Sequence, residues 1–498
     1  LSLFRTQKMK FSQQNNDFRN NLKRFAPETI IRAAILFICM FSALLFQLPF
    51  YGDHVTLISQ PAHFYYENGF SNLYLPDDMA TGHPPLYPML TAFFWLIFGK
   101  SLWVSHALTL IFGIVLLAQF YRFVKSRLPA HLQALVLLLM VFNPVFLAQM
   151  ANMSIDILLT ALFFMGLNAI HENKKNKLLL AVGLLSLLSL RGFILIGILM
   201  VYDMYNNRYA LKACLYRLSA YAMALLPVSA YFIGQYLQSG WWLMPIEGNW
   251  SADRNFVTGI TFLGKSFEFG LRLVEFGMLI PTVIVVWHLI TRKKHSTTYP
   301  KPAILVISLI VFGLFLLPFT GPILIRYLLP VQMLIFIYFA AAVSTFKKNA
   351  IARACYIVTI LLMVAQHFFV YPQMKRSIFD YSWGEGSLAH LAYFNFRAEG
   401  QDFLNQQKIS NNAVYTEFPD YKPFRYTNLA ETDAVYHKLT ISALDTVPYI
   451  IYCNNMNDLP YSTVMHIKQN FIPLKTWYQY PIEYTIYKNM NLVAGAAR

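Results

Sequence analysis

Six ionisable residues of this chain have the types and positions to act together: Asp53, His54, His83, Asp156, Arg191 and Arg326, with Tyr327 beside the last. Each lies at or near the end of an apolar run, where a charge is costly unless it has a partner or a task. Asp53 follows the first apolar segment directly, in Tyr51-Gly52-Asp53-His54. His83-Pro84-Pro85 opens the next apolar run, and Asp156 sits near the start of another, in NMSIDILLTALFF. Arg191 stands alone within LLSLLSLRGFILIGI, and Arg326 lies about one turn into a late apolar run. Acids and cations gathered beside lipid suit a reaction between a phosphorylated lipid and a hydroxyl or amine. Arginine holds phosphate through paired hydrogen bonds and stabilises the charge that grows on it as it leaves. A carboxylate, here Asp53, takes the proton of the incoming nucleophile. The plain alternatives are a solvated helix-end acid at Asp53 and a snorkelling side chain at Arg191.

Composition sets the class. The chain has 498 residues, 57% hydrophobic and 13% charged, with 42 Phe. Soluble domains carry about 25% charged residues, so a polytopic helical membrane protein is expected. The net charge of +16 comes from short basic clusters between apolar segments. That is the positive-inside pattern, and it implies no basic groove and no nucleic-acid partner. Cys39, Cys214, Cys355 and Cys453 form no CxxC pair, so neither a disulfide framework nor a zinc cluster is supported. No ligand cluster supports a divalent metal, and no cofactor is assigned. Residues 1–28, with Lys8, Lys10, Arg19, Lys23 and Arg24, are expected in the cytoplasm, and the helix after them is expected to stay as an anchor.

Residues 29–372 read as one membrane domain. A first span over 29–50 delivers Asp53 to the outer face. The loop 51–83 carries Phe64, Tyr65, Tyr66, Phe70, Leu73 and Tyr74, and is expected to lie on the membrane surface in short amphipathic helices. With a juxtamembrane helix at 85–98 it makes an external region over 51–101. Spans follow at 102–122, 131–149 and 154–170, the last two joined around Asn152. The block 178–202 is a short helix pair with Arg191-Gly192 at its tip. Span 213–236 is expected to kink at Pro227. The external loop 237–270, with Trp241, Trp242, Trp250, Glu247, Asp253, Arg254 and Lys265, is either an interface anchor or a lid over a membrane-side cavity. Spans 271–290, 303–319, 322–343 and 354–371 complete a set of about eleven helices. The odd count places 373–498 outside. That stretch has 11 basic and 11 acidic residues and reads as a small exterior α/β domain. Glu399–Gln407 is its helix, and Ala413–Glu417 and Pro448–Cys453 are strands. It is expected to pack over the membrane part without carrying the chemistry.

The order of these motifs resembles the polyprenyl-phosphate-sugar-dependent glycosyltransferases of the GT-C class. Within that class the resemblance is to the superfamily of dolichyl-phosphate-mannose protein mannosyltransferases and bacterial aminoarabinose transferases. The family's first external loop begins with an acidic pair, usually Asp-Glu. Asp53 matches the proposed base, and His54 stands where the second acid is expected. His83-Pro84-Pro85-Leu86 matches a closing His- or Lys-Pro-Pro-Leu. Asn143-Pro144 followed by Asp156 is a third match. Arg191-Gly192 takes the place of a common Lys-Gly, and Arg326-Tyr327 that of an Arg-Tyr before a late apolar run. The resemblance covers 29–372 and reaches the exterior domain by position alone.

It implies inverting transfer of a sugar from a polyprenyl-phosphate carrier to a lipid, protein or glycan acceptor. Asp53 would be the base, and Arg191 and Arg326 would hold the carrier phosphate. His54, His83, Asp156 and Tyr327 would line the substrate site. It further implies undecaprenyl phosphate as carrier in a bacterium or dolichyl phosphate in a eukaryote; the short loops and small exterior domain favour a bacterial inner membrane, with membrane lipids around the chain and the exterior domain in the periplasm, and a monomer is expected. Two departures matter: His54 weakens any claim to a carboxylate-held metal, and His83 stands where aminoarabinose transferases carry Lys, which argues against lipid A as acceptor. Two rival readings share the layout. One is a lipid-linked oligosaccharide transferase or polymer ligase. The other is a transporter, whose paired halves and broken midplane helices the sequence does not display.

Overall fold

The apolar runs become helices because a backbone that leaves water must satisfy its own hydrogen bonds. The computed structural model describes residues 27–208, 211–243, 255–291, 302–370, 374–376, 379–381, 384–418, 420–432, 434–456 and 459–490. The basic residues before Pro27, the residues Glu247, Trp250, Asp253 and Arg254, and the run Arg292-Lys293-Lys294 lie outside the described residues.

The first helix, α1, spans Pro27–Leu44. After the Asp53 turn come a π-helical turn at Val55–Ser59 and α2, Gln60–Glu67. Then follow α3 Leu86–Phe98, α4 Leu102–Lys125, α5 Ala130–Val141, α6 Pro144–Ala151 and α7 Ile155–His171. The next group is α8 Lys175–Leu188, α9 Leu190–Asn207, α10 Leu211–Ser239 and α11 Ile260–Arg272. The bundle closes with α12 Leu279–Thr291, α13 Ala303–Leu316, α14 Leu329–Val343 and α15 Asn349–Ala365. Every residue of α14 is buried, so it forms the axis of the bundle. The outside is apolar: Leu226, Leu237, Ile290, Leu314 and Leu361 are each at least 60% exposed. By length and apolarity Leu102–Lys125, Cys214–Ser239 and Ile325–Val343 suffice to cross a membrane, and the bent pair α5–α6 adds a fourth candidate.

Each of the expected spans is helical, but four expectations change. The run 131–149 is two helices bent by 51°. Pro144 cannot donate to the ladder of α5, and Asn143 caps the new helix by accepting from the Phe146 N–H at 2.8 Å. The span placed at 271–290 begins later, at Leu279. Before it, α11 ends in a turn where Phe276 and Gly277 take positive φ. A buried network fixes that turn, with the Arg272 guanidinium 3.0 Å from Glu275 and donating at 2.7 Å to the Ile323 carbonyl. The aromatic loop after Asp53 does not simply lie on a surface. Val55 to Ser59 are all buried, as are Pro61, Ala62 and Tyr65, packed against α3 and the C-terminal domain. The fourth change concerns that domain itself and is taken up with the site.

The C-terminal part has a two-stranded ribbon, β1 Met374–Arg376 and β2 Phe379–Tyr381. Its main sheet uses β3 Val414–Thr416, β4 His437–Lys438, β5 Tyr449–Cys453, β6 Phe471–Gln479 and β7 Ile482–Asn489, in the order β4-β3-β5-β7-β6. β3 runs parallel to β4 and β5, while β7 is antiparallel to both β5 and β6. Helix α16, Ala392–Gln406, packs on β7. This unit grips the Asp53 loop. The Phe50 N–H donates to the Thr427 carbonyl at 2.9 Å, and Ser59 Oγ donates to the Tyr426 carbonyl at 2.6 Å. Asn455 Nδ2 donates to the buried Tyr51 hydroxyl at 2.7 Å. The Tyr51 ring lies 5.0 Å from that of Tyr393.

Candidate active site

Five chain segments converge under the C-terminal domain. Gly52 takes a left-handed φ of +55°, which turns the chain at the end of the first apolar segment and sets Asp53 and His54 side by side. Asp156 lies in the first turn of α7, whose cap is Ser154. The Ser154 hydroxyl accepts from the Asp156 N–H and donates to its carboxylate, each at 3.1 Å. The helix N-terminus also favours the negative charge. Arg191 lies in the first turn of α9, just past the extended residue Ser189, which breaks the chain between α8 and α9. Ser189 Oγ accepts from the Arg191 N–H at 3.3 Å, and His83 Nδ1 accepts from the Leu190 N–H at 3.2 Å. The hairpin is tight. A Cβ at Gly192 would strike the Leu185 carbonyl, which explains the glycine after Arg191. Arg326 sits in a single 3-10 turn, Ile325–Leu328, before α14.

Arg326 is the hub, and it is 1% exposed. Its Nη2 lies 2.5 Å from Asp53 Oδ2, and its Nε lies 3.4 Å from Asp156 Oδ2. Its Nη1 pairs with Glu385 Oε1. Arg191 Nη1 pairs with the other oxygen of Asp156. The Tyr327 ring separates the two guanidiniums, with Arg191 Cζ 4.4 Å and Arg326 Cζ 5.7 Å from its centroid. Of the three acids, Asp53 is the open one. Its side chain is 21% exposed, against 4% for Asp156 and for Glu385.

His54 is wholly buried. Burial, helped by the Arg326 charge, pushes its pKa down to about 3, so the ring is neutral at physiological pH. Its Nε2 lies 3.1 Å from Glu385 Oε2 and 3.3 Å from Arg326 Nη1. An ionised carboxylate only accepts, so the closer contact, with Glu385, calls for the proton on Nε2.

A cleft beside the cluster runs between the first loop and the α8–α9 hairpin. Arg191, His83, Ser189 and Thr81 form its polar end; Leu57, Leu75, Ile155 and Leu188 are among its apolar walls. A cation at one end of an apolar slot suits an anionic head on a hydrocarbon chain.

All seven residues singled out in the sequence thus line one connected site: six in the cluster, and His83 at its edge beside the residue before Arg191. The reading of the exterior domain as mere cover is corrected. Glu385, between α15 and α16, inserts its carboxylate among them. Asn152 Nδ2 donates to Glu385 Oε2 at 3.1 Å, and Gln149 Nε2 donates to its backbone carbonyl at 3.0 Å. His390 Nε2 lies 2.7 Å from Asn152 Oδ1. The one sequence signal was an acid between two glycines, Gly384-Glu385-Gly386. At Gly386 a Cβ would meet Phe276 at 2.7 Å and Ile325 at 2.8 Å, so the segment passes where only glycine fits. Among the described residues no cluster of His, Cys, Asp or Glu is arranged to hold a metal ion, and the arginine in the midst of these acids takes the place a cation would need.

A bundle of apolar helices carries a small α/β domain closed over an acid-and-arginine cluster, and this fold has solved counterparts. The particular structures that the chain is similar to are two of ArnT from Cupriavidus metallidurans, one bound to undecaprenyl phosphate and one in the apo state. Each aligns over 93% of this chain and 98% of its own, with a TM-score of 0.55 and 12% sequence identity. No protein-family model and no curated protein matches the sequence.

Proposed function

We propose that the chain is a polyprenyl-phosphate-dependent glycosyltransferase that moves a sugar to an acceptor at the outer face of a bacterial inner membrane. One observation carries the reading. Two arginines drawn from separate segments share Asp156; Arg326 also meets the open carboxylate of Asp53, and Arg191 stands at the polar end of an apolar slot, on a fold similar to that of a protein solved with undecaprenyl phosphate. In this reading the apolar helices span the membrane, 1–28 is cytoplasmic, 373–498 is exterior, and the carrier enters sideways with its phosphate toward Arg191 and Arg326.

The reaction is one displacement. An acceptor oxygen or nitrogen attacks the anomeric carbon from the face opposite the phosphate, and a bond to that carbon forms as the bond to the phosphate oxygen breaks. The leaving group is polyprenyl phosphate, and the configuration inverts. The nucleophile's proton goes to Asp53, the acid with access from outside. Arg191 and Arg326 stabilise the charge gathering on the leaving phosphate, in a site from which water is largely excluded. Asp156 holds both guanidiniums in register, and Tyr327 keeps them apart.

The test is direct. The purified chain in lipid nanodiscs is given synthetic undecaprenyl-phosphate sugars, and release of undecaprenyl phosphate is followed with candidate acceptors present. Sugar-dependent release that is lost in Asp53→Asn is the expected result. No binding of either the carrier or its sugar forms would remove the reading.

A further inference from the structure

Arg326 has no free edge. Its three nitrogens face Asp53, Asp156 and Glu385. With His54 neutral, three carboxylates meet two guanidiniums, so the site already carries a net negative charge. A phosphate brought to Arg326 adds to that charge, and like charges so placed repel. One acid must give way.

The contacts identify which. Asp156 is held by Arg191, by the Ser154 hydroxyl and by its helix N-terminus. Asp53 is short, follows a tight turn at Gly52, and is already the partly exposed acid. Glu385 has a longer side chain and lies in the loop between α15 and α16, so its departure loosens that loop. What it leaves behind is specific. Arg326 Nη1, His54 Nε2–H at 3.1 Å and Asn152 Nδ2 at 3.1 Å all converge on its carboxylate. Three buried donors around one anion are a cradle for any compact oxyanion.

Resting on the functional reading above, we propose that Glu385 is a further residue of the donor site: its carboxylate fills an anion cradle made by Arg326, His54 and Asn152, and the carrier's phosphate takes that cradle by displacing it. Donor binding is then an exchange of anions between the membrane part and the C-terminal domain. His54 becomes a phosphate donor, a role that requires a proton on Nε2.

Two measurements test the exchange, both with undecaprenyl phosphate and nanodisc-embedded full chain. In the first, affinity is compared between the parent and Glu385→Gln. Loss of the internal competitor should tighten binding roughly tenfold. A carboxylate that only supports the fold predicts equal or weaker binding, and either result overturns the exchange. The second needs no substitution. Carrier should speed amide hydrogen exchange over residues 384–391 of the parent protein, since Glu385 loses its contacts; unchanged or slowed exchange while carrier is bound overturns the proposal. Absence of carrier binding by parent and variant alike would instead strike the functional reading itself.

Discussion

The bundle buries charge at both ends, and the two ends do different things with it. α7 runs about 24 Å, at roughly 1.5 Å per residue, from Asp156 to His171. α9 runs from Arg191 to Asn207. At the far end Asp203 and Arg217 pair at 3.9 Å. Asn207 donates to Asp203 Oδ1 at 3.0 Å, and Arg217 donates to Asn173. A cavity of about 380 Å³ opens there, lined by Arg127, His171, Tyr202 and Arg217 among others. It is roomier than the cleft at Arg191, yet the ion pair beside it joins one acid to one arginine. At the Asp53 end three acids share two arginines, from segments as far apart in sequence as 53 and 385. Burial of charge alone therefore does not mark a reaction centre. In the functional reading proposed above, convergence of charges beside an apolar slot is what marks one.

Substitutions at the two ends should separate these roles. The largest effect is expected at Asp53. Asp53→Asn keeps shape and removes the base, so turnover per folded molecule should fall about a hundredfold or more while carrier binding persists. Near-parental turnover would remove Asp53 from the chemistry. Next is Arg326→Lys, which keeps one charge but cannot face three acids at once. Carrier affinity should drop roughly tenfold, with the protein still folded. At the opposite end, Asp203→Asn should leave turnover within about twofold and lower the melting temperature by a few degrees, as expected for a structural pair. A large loss of turnover there would erase the distinction between the ends.

The smallest effect is in pH. Burial pushes the pKa of His54 to about 3 and those of His63 and His390 to about 4, below the ordinary imidazole value of about 6.5. The unfolded chain takes up these protons below about pH 6.5, and the folded chain does not. Stability from these rings is thus complete above about 6.5 and falls as pH drops toward 4. Melting temperatures measured from pH 7.5 to 5 should decline, and His390→Gln should flatten that decline. An unaltered slope would show that His390 is not held neutral.

The residues of the membrane part were readable because each interrupts an apolar pattern. Arg191 inside LLSLLSLRGFILIGI has no cheap explanation, and its glycine neighbour signals a close approach. Asp53 and Arg326 stand out likewise. The bend at Asn143-Pro144 was equally written in the chain, but the hydropathy of 131–149 is continuous and hid it. The late start of α12 depends on a buried network among Glu268, Arg272, Glu275 and Ile323 that local pattern does not disclose. Glu385 was out of reach for a different reason. It is one of eleven acids in a polar stretch, and its two flanking glycines are too slight a local mark to show that it turns inward. Its role exists only through tertiary contact.

The grip of the C-terminal domain on the first loop has a consequence for biosynthesis. Asp53 and His54 emerge early from the ribosome, but the partners that seat their loop, Tyr426, Thr427 and Asn455, are made almost four hundred residues later. Glu385 also follows the last long apolar helix. A growing chain therefore holds all its membrane helices before it holds an assembled centre. Completion waits on the folding of the final segment, so a truncated or stalled product carries the helices without a working site.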